Sequence, residues 1–234
     1  MGMESVLSGK TLYGFGDSLV CGHYLGIGML DYVAEENGMI YTKYAINGGT
    51  VIPGIASQLD NAILVPDLAA QIEAASDQPP DFICFDGLTN DAYDLIIDQY
   101  LGVPSGNYDG EYDTDTFIGA FETVCFKLRK KYQDSSIFYV CTHKMPSRKQ
   151  EPQELLQHWA RKICRKWSIP YIDVYNRGGI NTCISGMRYD YSYNLPGETV
   201  GGNGTHLNAD GYRLWYAPMI ETELKNAVRR KEVL

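Results

Sequence analysis

Short, β-rich apolar runs in this chain alternate with longer segments whose apolar residues recur at helical spacing, and that alternation restricts its fold more than any other feature. The runs are Thr11–Gly16, Ile40–Ala45, Asp81–Gly87, Ser136–Thr142 and Pro170–Val174. Between them, Tyr24–Asn37, Gln58–Ser76, Thr116–Tyr132 and Glu151–Trp167 have the period of a buried helix face, as does Asn208–Val228 near the end. In Thr116–Tyr132, for example, Phe117, Phe121, Val124, Leu128 and Tyr132 make one stripe suited to a core. Strands that alternate with helices predict a parallel sheet covered on both faces and joined by right-handed crossovers. The expected fold class is therefore α/β: a three-layer α/β/α sandwich on a doubly wound, mainly five-stranded parallel sheet of flavodoxin-like order. Such sheets bind ligands outside the carboxyl ends of their strands, so chemistry is expected directly after strands.

With 234 residues, 44% of them hydrophobic, the chain suits one domain over 1–234. Residues 1–8 read as an N-terminal tail, and Met1-Gly2-Met3 can be an added start ahead of a native methionine. Leu101–Asp115 and Asn176–Gly202 fit the alternation poorly and read as functional loops over the strand ends. No apolar run reaches the length of a membrane span, and MGMESVLSGK lacks the basic and apolar regions of a signal peptide. The expectation is a soluble, cytoplasmic protein, or a secreted one if a leader has been removed. A net charge of -9 argues against a nucleic-acid partner. Six cysteines without a C-x-x-C pair read as reduced thiols, with Cys84 and Cys141 inside strand candidates. The oligomeric state is left open.

The first strand candidate runs into Gly14-Phe15-Gly16-Asp17-Ser18-Leu19, which places a serine at a tight strand-to-helix turn. Gly, Asp and Ser are also ordinary turn formers, so Asp17 or Ser18 could equally cap the next helix. Three further segments follow in order: Asn47-Gly48-Gly49-Thr50, Gly87-Leu88-Thr89-Asn90-Asp91 and Gly204-Thr205-His206-Leu207-Asn208. Taken singly, each has a plain alternative. Gly48 or Gly49 suits a turn, Asn90 an Asx-turn or cap, and His206 a surface loop.

Together the four blocks, spanning residues 14–212, resemble the SGNH (GDSL-type) hydrolases. The resemblance implies a serine esterase in which Ser18 is the nucleophile and His206 its base. The Ser18 and Gly48 N–H groups and the Asn90 side-chain amide would form the oxyanion hole, with Gly49 an alternative to Gly48. A hydroxyl needs a base to become nucleophilic, and a tetrahedral intermediate needs fixed donors for its oxyanion. This chemistry requires no metal and no organic cofactor.

Two positions depart from the family pattern. The aspartate usual three residues before the histidine is Asn203, which could hold the imidazole tautomer through its carbonyl oxygen but brings no charge. Glu198, Asp190 and Asp210 are candidate substitutes, and reduced activity is expected. Leu88 stands where many members have glycine and could narrow an acyl pocket. The implied substrates are small-molecule or glycan esters, short acyl groups such as acetyl on a carbohydrate in particular, and Tyr189, Tyr191 and Tyr193 are suited either to sugar stacking or to packing. The alternatives are a catalytically weak glycan-binding module, a lipase or lysophospholipase, and a flavodoxin-like nucleotide or flavin binder. Against the last, no G-x-G-x-x-G or P-loop motif occurs.

Overall fold

The strands follow the apolar runs: β1 (Thr11–Phe15), β2 (Ile40–Lys43), β3 (Phe82–Phe85), β4 (Ser136–Val140) and β5 (Tyr171–Ile172). The structure, a computed structural model, describes residues 4–23, 25–54, 65–92, 97–108, 111–193 and 202–232. All strand pairings are parallel, in the order β2-β1-β3-β4-β5. Strands covered on both faces are continuously apolar, whereas edge strands alternate. Accordingly, all four residues of β3 are buried, while on β2 Ile40 is 60% exposed.

Most strands stop short of their predicted ends because the backbone turns. β1 ends before Gly16 (φ +140) and β3 ends well before Gly87 (φ +138), both in the region that favours glycine. Asp81, read as the start of β3, instead lies just ahead of it and accepts the Thr11 N–H with its carboxylate at 2.9 Å.

The principal helices are α1 (Ser18–Cys21), α2 (Met29–Asn37), α3 (Leu68–Ala74), α4 (Phe117–Lys131), α5 (Gln150–Lys166), α6 (Ser185–Tyr191) and α7 (Ala217–Glu232). The α4 stripe is buried as expected, and its Phe121 packs edge-on to Tyr139 of β4 at 5.2 Å. Helix α2 begins later than Tyr24–Asn37 suggested, because Gly26 (φ +66) and the cap Gly28 interrupt the run. Of the segment Gln58–Ser76, residues 58–64 lie outside the described residues, and the helix starts after Asp67, whose carboxylate accepts the Ala70 N–H. Helix α6 lies in a stretch read as loop, and none of its residues is buried, so it has no apolar stripe.

The C-terminal helix is not continuous. A wide turn over Tyr212–Tyr216 precedes α7, with the Ala217 N–H bonded to the Tyr212 carbonyl five residues back. Pro218 follows immediately; it lacks an N–H and cannot continue a regular ladder.

Helices α3, α4 and α5 pack in one group and α2 and α7 in another, forming the outer layers of an α/β/α sandwich. Among the described residues no helix is long and apolar enough to cross a membrane. All six cysteines are free thiols, with Cys84, Cys125, Cys141 and Cys164 buried. The chain reverses direction across the sheet between β1 and β3, so the crevice such a sheet offers lies at the carboxyl ends of these two strands.

Candidate active site

The turn after β1 is shaped by the carboxyl end of β3. Gly16 leaves so little room that a Cβ there would lie 1.6 Å from Asp86 Oδ1. That oxygen accepts the Asp17 N–H at 2.9 Å, while Gln71 of α3 both accepts from the Gly16 N–H and donates to its carbonyl, each at 2.9 Å. Asp17 caps α1 by accepting the Leu19 N–H at 2.9 Å, so capping does not occupy the Ser18 hydroxyl. Ser18 Oγ instead stands 2.8 Å from His206 Nε2, bridging 188 residues of sequence.

The second block joins the same carbonyl. Ile46 N–H donates to Gly16 O at 3.1 Å, and Gly49 N–H closes the turn on Ile46 O at 3.0 Å. With the Gly49 donor spent there, Gly48 (φ +80) is the glycine whose N–H has no acceptor among the described residues. Asn90 does not cap its own loop: its amide donates to the Gly49 carbonyl at 2.9 Å, which leaves its second amide hydrogen as a potential donor. Asp91 anchors the other end of this loop by accepting the Val51 and Ile52 N–H groups at 3.0–3.1 Å. The geometry thus ties the serine, glycine and asparagine blocks together.

Leu88, at the position where the resemblance suggested glycine, has φ +110 and is 1% exposed. A leucine in this region carries backbone strain on the order of 1–3 kcal/mol, held here beside Asn90 by its burial.

The histidine block is fastened differently. His206 belongs to a segment that pairs with residues 191–193, its carbonyl accepting the Tyr193 N–H at 2.8 Å, and its ring stacks on His23 at 4.4 Å between centroids. Burial, then the positive fields of His23, His143 and Arg148, push its pKa down to about 3. Asn203 is exposed and its Oδ1 accepts the Thr205 N–H at 2.9 Å, so that oxygen serves its own turn rather than the imidazole expected from the sequence. Asp190 and Asp210 are both exposed, and Asp210 sits in the first turn of the C-terminal helix. Glu198 lies outside the described residues. Tyr191 packs edge-on to Trp215, Tyr189 is exposed, and Tyr193 lines a depression with His23, Tyr32 and His206.

Several groups of the site lie outside the motifs legible in the sequence. Asp17 and Asp86 are fully buried and face each other; burial raises both pKa values, and the Asp17 charge raises Asp86 further. Asp91 is pushed up to about 7 by burial, against the opposing pull of the Ile52 and Val51 N–H groups. Arg148 donates to the Thr89 carbonyl at 2.7 Å, and the next residue back, Ser147, hydrogen-bonds Thr205 of the histidine block. A buried acid after an apolar strand was the available signal for Asp86, but nothing local pointed to Gln71 or Arg148. Among the described residues no group of three or more His, Cys, Asp or Glu side chains could hold a metal ion.

The chain has the three-layer fold of the GDSL-type hydrolases. It is similar to a protein from Lactobacillus plantarum at 18% identity and TM-score 0.72, covering 94% of this chain and 98% of that one. A member of the lipolytic G-D-S-L family from Veillonella parvula aligns at 18% identity and TM-score 0.53 over 90% and 96% of the two chains. A variant of an acetyl-xylooligosaccharide esterase from Geobacillus aligns at 15% identity and TM-score 0.58 over 95% and 96%. No family model and no curated protein matches the sequence.

Proposed function

We propose that this protein is a serine ester hydrolase of the SGNH type, acting through an acyl-enzyme. The observation that carries this reading is the 2.8 Å contact between Ser18 Oγ and His206 Nε2 at the switch point of the sheet. In the proposed reaction His206 takes the Ser18 proton as the oxygen attacks an ester carbonyl. The N–H groups of Ser18 and Gly48 and the Asn90 amide receive the oxyanion, each donor contributing roughly 100- to 1,000-fold in rate. Collapse of the intermediate expels the alcohol, which takes the proton back from His206. Water, deprotonated by the same imidazole, then releases the acid and frees Ser18.

Short acyl esters of carbohydrates are the favoured substrates. Tyr193 and His23 beside His206 supply ring faces for a sugar, and one structurally similar protein is an acetyl-xylooligosaccharide esterase. A pKa near 3 makes His206 a weak base, which supports slow turnover and keeps a second reading in view, a glycan-binding module with residual catalysis. Hydrolysis of p-nitrophenyl acetate, butyrate and octanoate by the wild type and by Ser18→Ala separates them. The esterase reading expects activity greatest on acetate and lost about 10^4-fold in the variant. Equal rates in the two proteins would remove Ser18 as nucleophile, and no hydrolysis with retained glycan binding would favour the module.

A further inference from the structure

The turn carrying His206 is held by groups far away in sequence. The Gly204 carbonyl accepts two side-chain bonds, from His143 Nε2 at 2.8 Å and from Thr182 Oγ1 at 2.7 Å. Gly204 has φ +75, and a Cβ there would lie 2.6 Å from Pro146 Cδ, so the turn is pressed against the segment that follows β4. His143, in that segment, is 0% exposed. Its backbone N–H donates to the Tyr216 hydroxyl oxygen at 2.9 Å, and its Nδ1 stands 2.8 Å from the same oxygen.

These contacts assign the hydrogens of the His143 ring and the Tyr216 hydroxyl. A carbonyl only accepts, so His143 Nε2 carries the ring hydrogen and Nδ1 is the acceptor in the neutral imidazole. Tyr216 therefore donates its hydroxyl hydrogen to Nδ1 while accepting the His143 backbone N–H. Burial keeps the ring neutral by pushing its pKa down to about 4. Tyr216 lies in the wide turn ahead of α7, and such turns often sit at functional sites.

We propose that His143 is the positioning residue of His206: the relay from Tyr216 through His143 to the Gly204 carbonyl sets the turn so that His206 Nε2 meets Ser18 Oγ. The relay acts on the backbone two residues from the imidazole and touches no substrate. Its catalytic consequence rests on the Ser18–His206 reading above; the geometric claim does not.

The test compares wild type with His143→Leu, His143→Gln and Tyr216→Phe, all checked for folding by circular dichroism. Two quantities are read: kcat and KM on p-nitrophenyl acetate, and the 15N resonances of the His206 ring, referenced to Ser18→Ala. His143→Leu is expected to lower kcat at least tenfold with KM within twofold, and to move the His206 resonances toward those of Ser18→Ala. Glutamine keeps a donor for the Gly204 carbonyl, so His143→Gln is expected to recover most of both, with Tyr216→Phe intermediate. A folded His143→Leu protein with wild-type kcat and wild-type His206 resonances overturns the proposal. Should that variant not fold, unchanged kcat and resonances in Tyr216→Phe overturn it instead. Should the wild type hydrolyse no ester, the esterase reading fails and the ring resonances alone decide the positioning role.

Discussion

The serine side and the histidine side of this site are built on opposite kinds of buried group. Beneath Ser18 lie the carboxyls of Asp17, Asp86 and Asp91, all with pKa values raised by burial. Behind and within the histidine block are the imidazoles of His143 and His206, pushed down to about 4 and about 3 by the same cause. Desolvation disfavours whichever form is charged, so it keeps an acid protonated and a base deprotonated. On each side burial opposes the charged form, and the two sides respond to pH in opposite directions.

The mechanical supports differ as well. The serine turn is welded into the sheet by Gln71 and Asp86 through Gly16, whereas the histidine turn is tethered at the Gly204 carbonyl and through the Ser147–Thr205 pair. The largest effect that separates them is expected from Gly16→Ala. A methyl group 1.6 Å from a buried carboxylate oxygen, on a residue at φ +140, should leave no folded protein, read as loss of a cooperative melt. Gly202→Ala, at the half-buried start of the histidine turn and at φ +44, should still melt cooperatively, with a loss of roughly 1–2 kcal/mol. A folded Gly16→Ala protein would remove the contrast.

Next in size is Asn90→Ala, which should lower kcat by roughly 100- to 1,000-fold if its amide serves the oxyanion. An equal rise in KM with kcat unchanged would make it a ground-state contact instead. The opposed titrations of Asp91 and His143 predict stability slopes that offset each other at mildly acidic pH. The raised folded pKa of Asp91 gives stability that is full below 3.8 and lost as pH rises through about 7. The lowered folded pKa of His143 gives stability that is full above 6.5 and lost as pH falls through about 4. Tm measured from pH 3 to 9 should therefore change little between about pH 4 and 6.5, where the two slopes cancel, and Asp86→Asn should raise Tm more at pH 8 than at pH 5, because it removes a group whose ionisation burial opposes. A Tm that climbs steadily to pH 9 would contradict the acid side of the comparison. The smallest effect is expected from Asn203→Asp: a few-fold gain in kcat, with the acid limb of kcat/KM moving upward as the new charge raises the His206 pKa.

The part of this architecture visible in sequence was the part with a local cause. Apolar continuity marked β3 and β4, the spacing of Phe117, Phe121, Val124 and Leu128 marked α4, and the glycines around Ser18 marked the turn. Gln71, Asp86 and His143 act across 55–73 residues, and a contact of that span leaves no period along the chain. Helix α6 has no apolar period because it buries nothing, and the break before α7 is hidden because a single proline sits inside an otherwise helical pattern. Asn203 was assigned a ring contact from its place in the motif, while its side chain makes the nearest local bond instead.

The 188 residues between Ser18 and His206 have a consequence during synthesis. At roughly 5–20 residues per second, a ribosome makes His206 about 10–40 s after Ser18. Under the proposed mechanism a nascent chain carries an unactivated hydroxyl through that interval. Hydrolytic competence is then the last property the protein acquires, arriving only when the segment that closes the sandwich has docked.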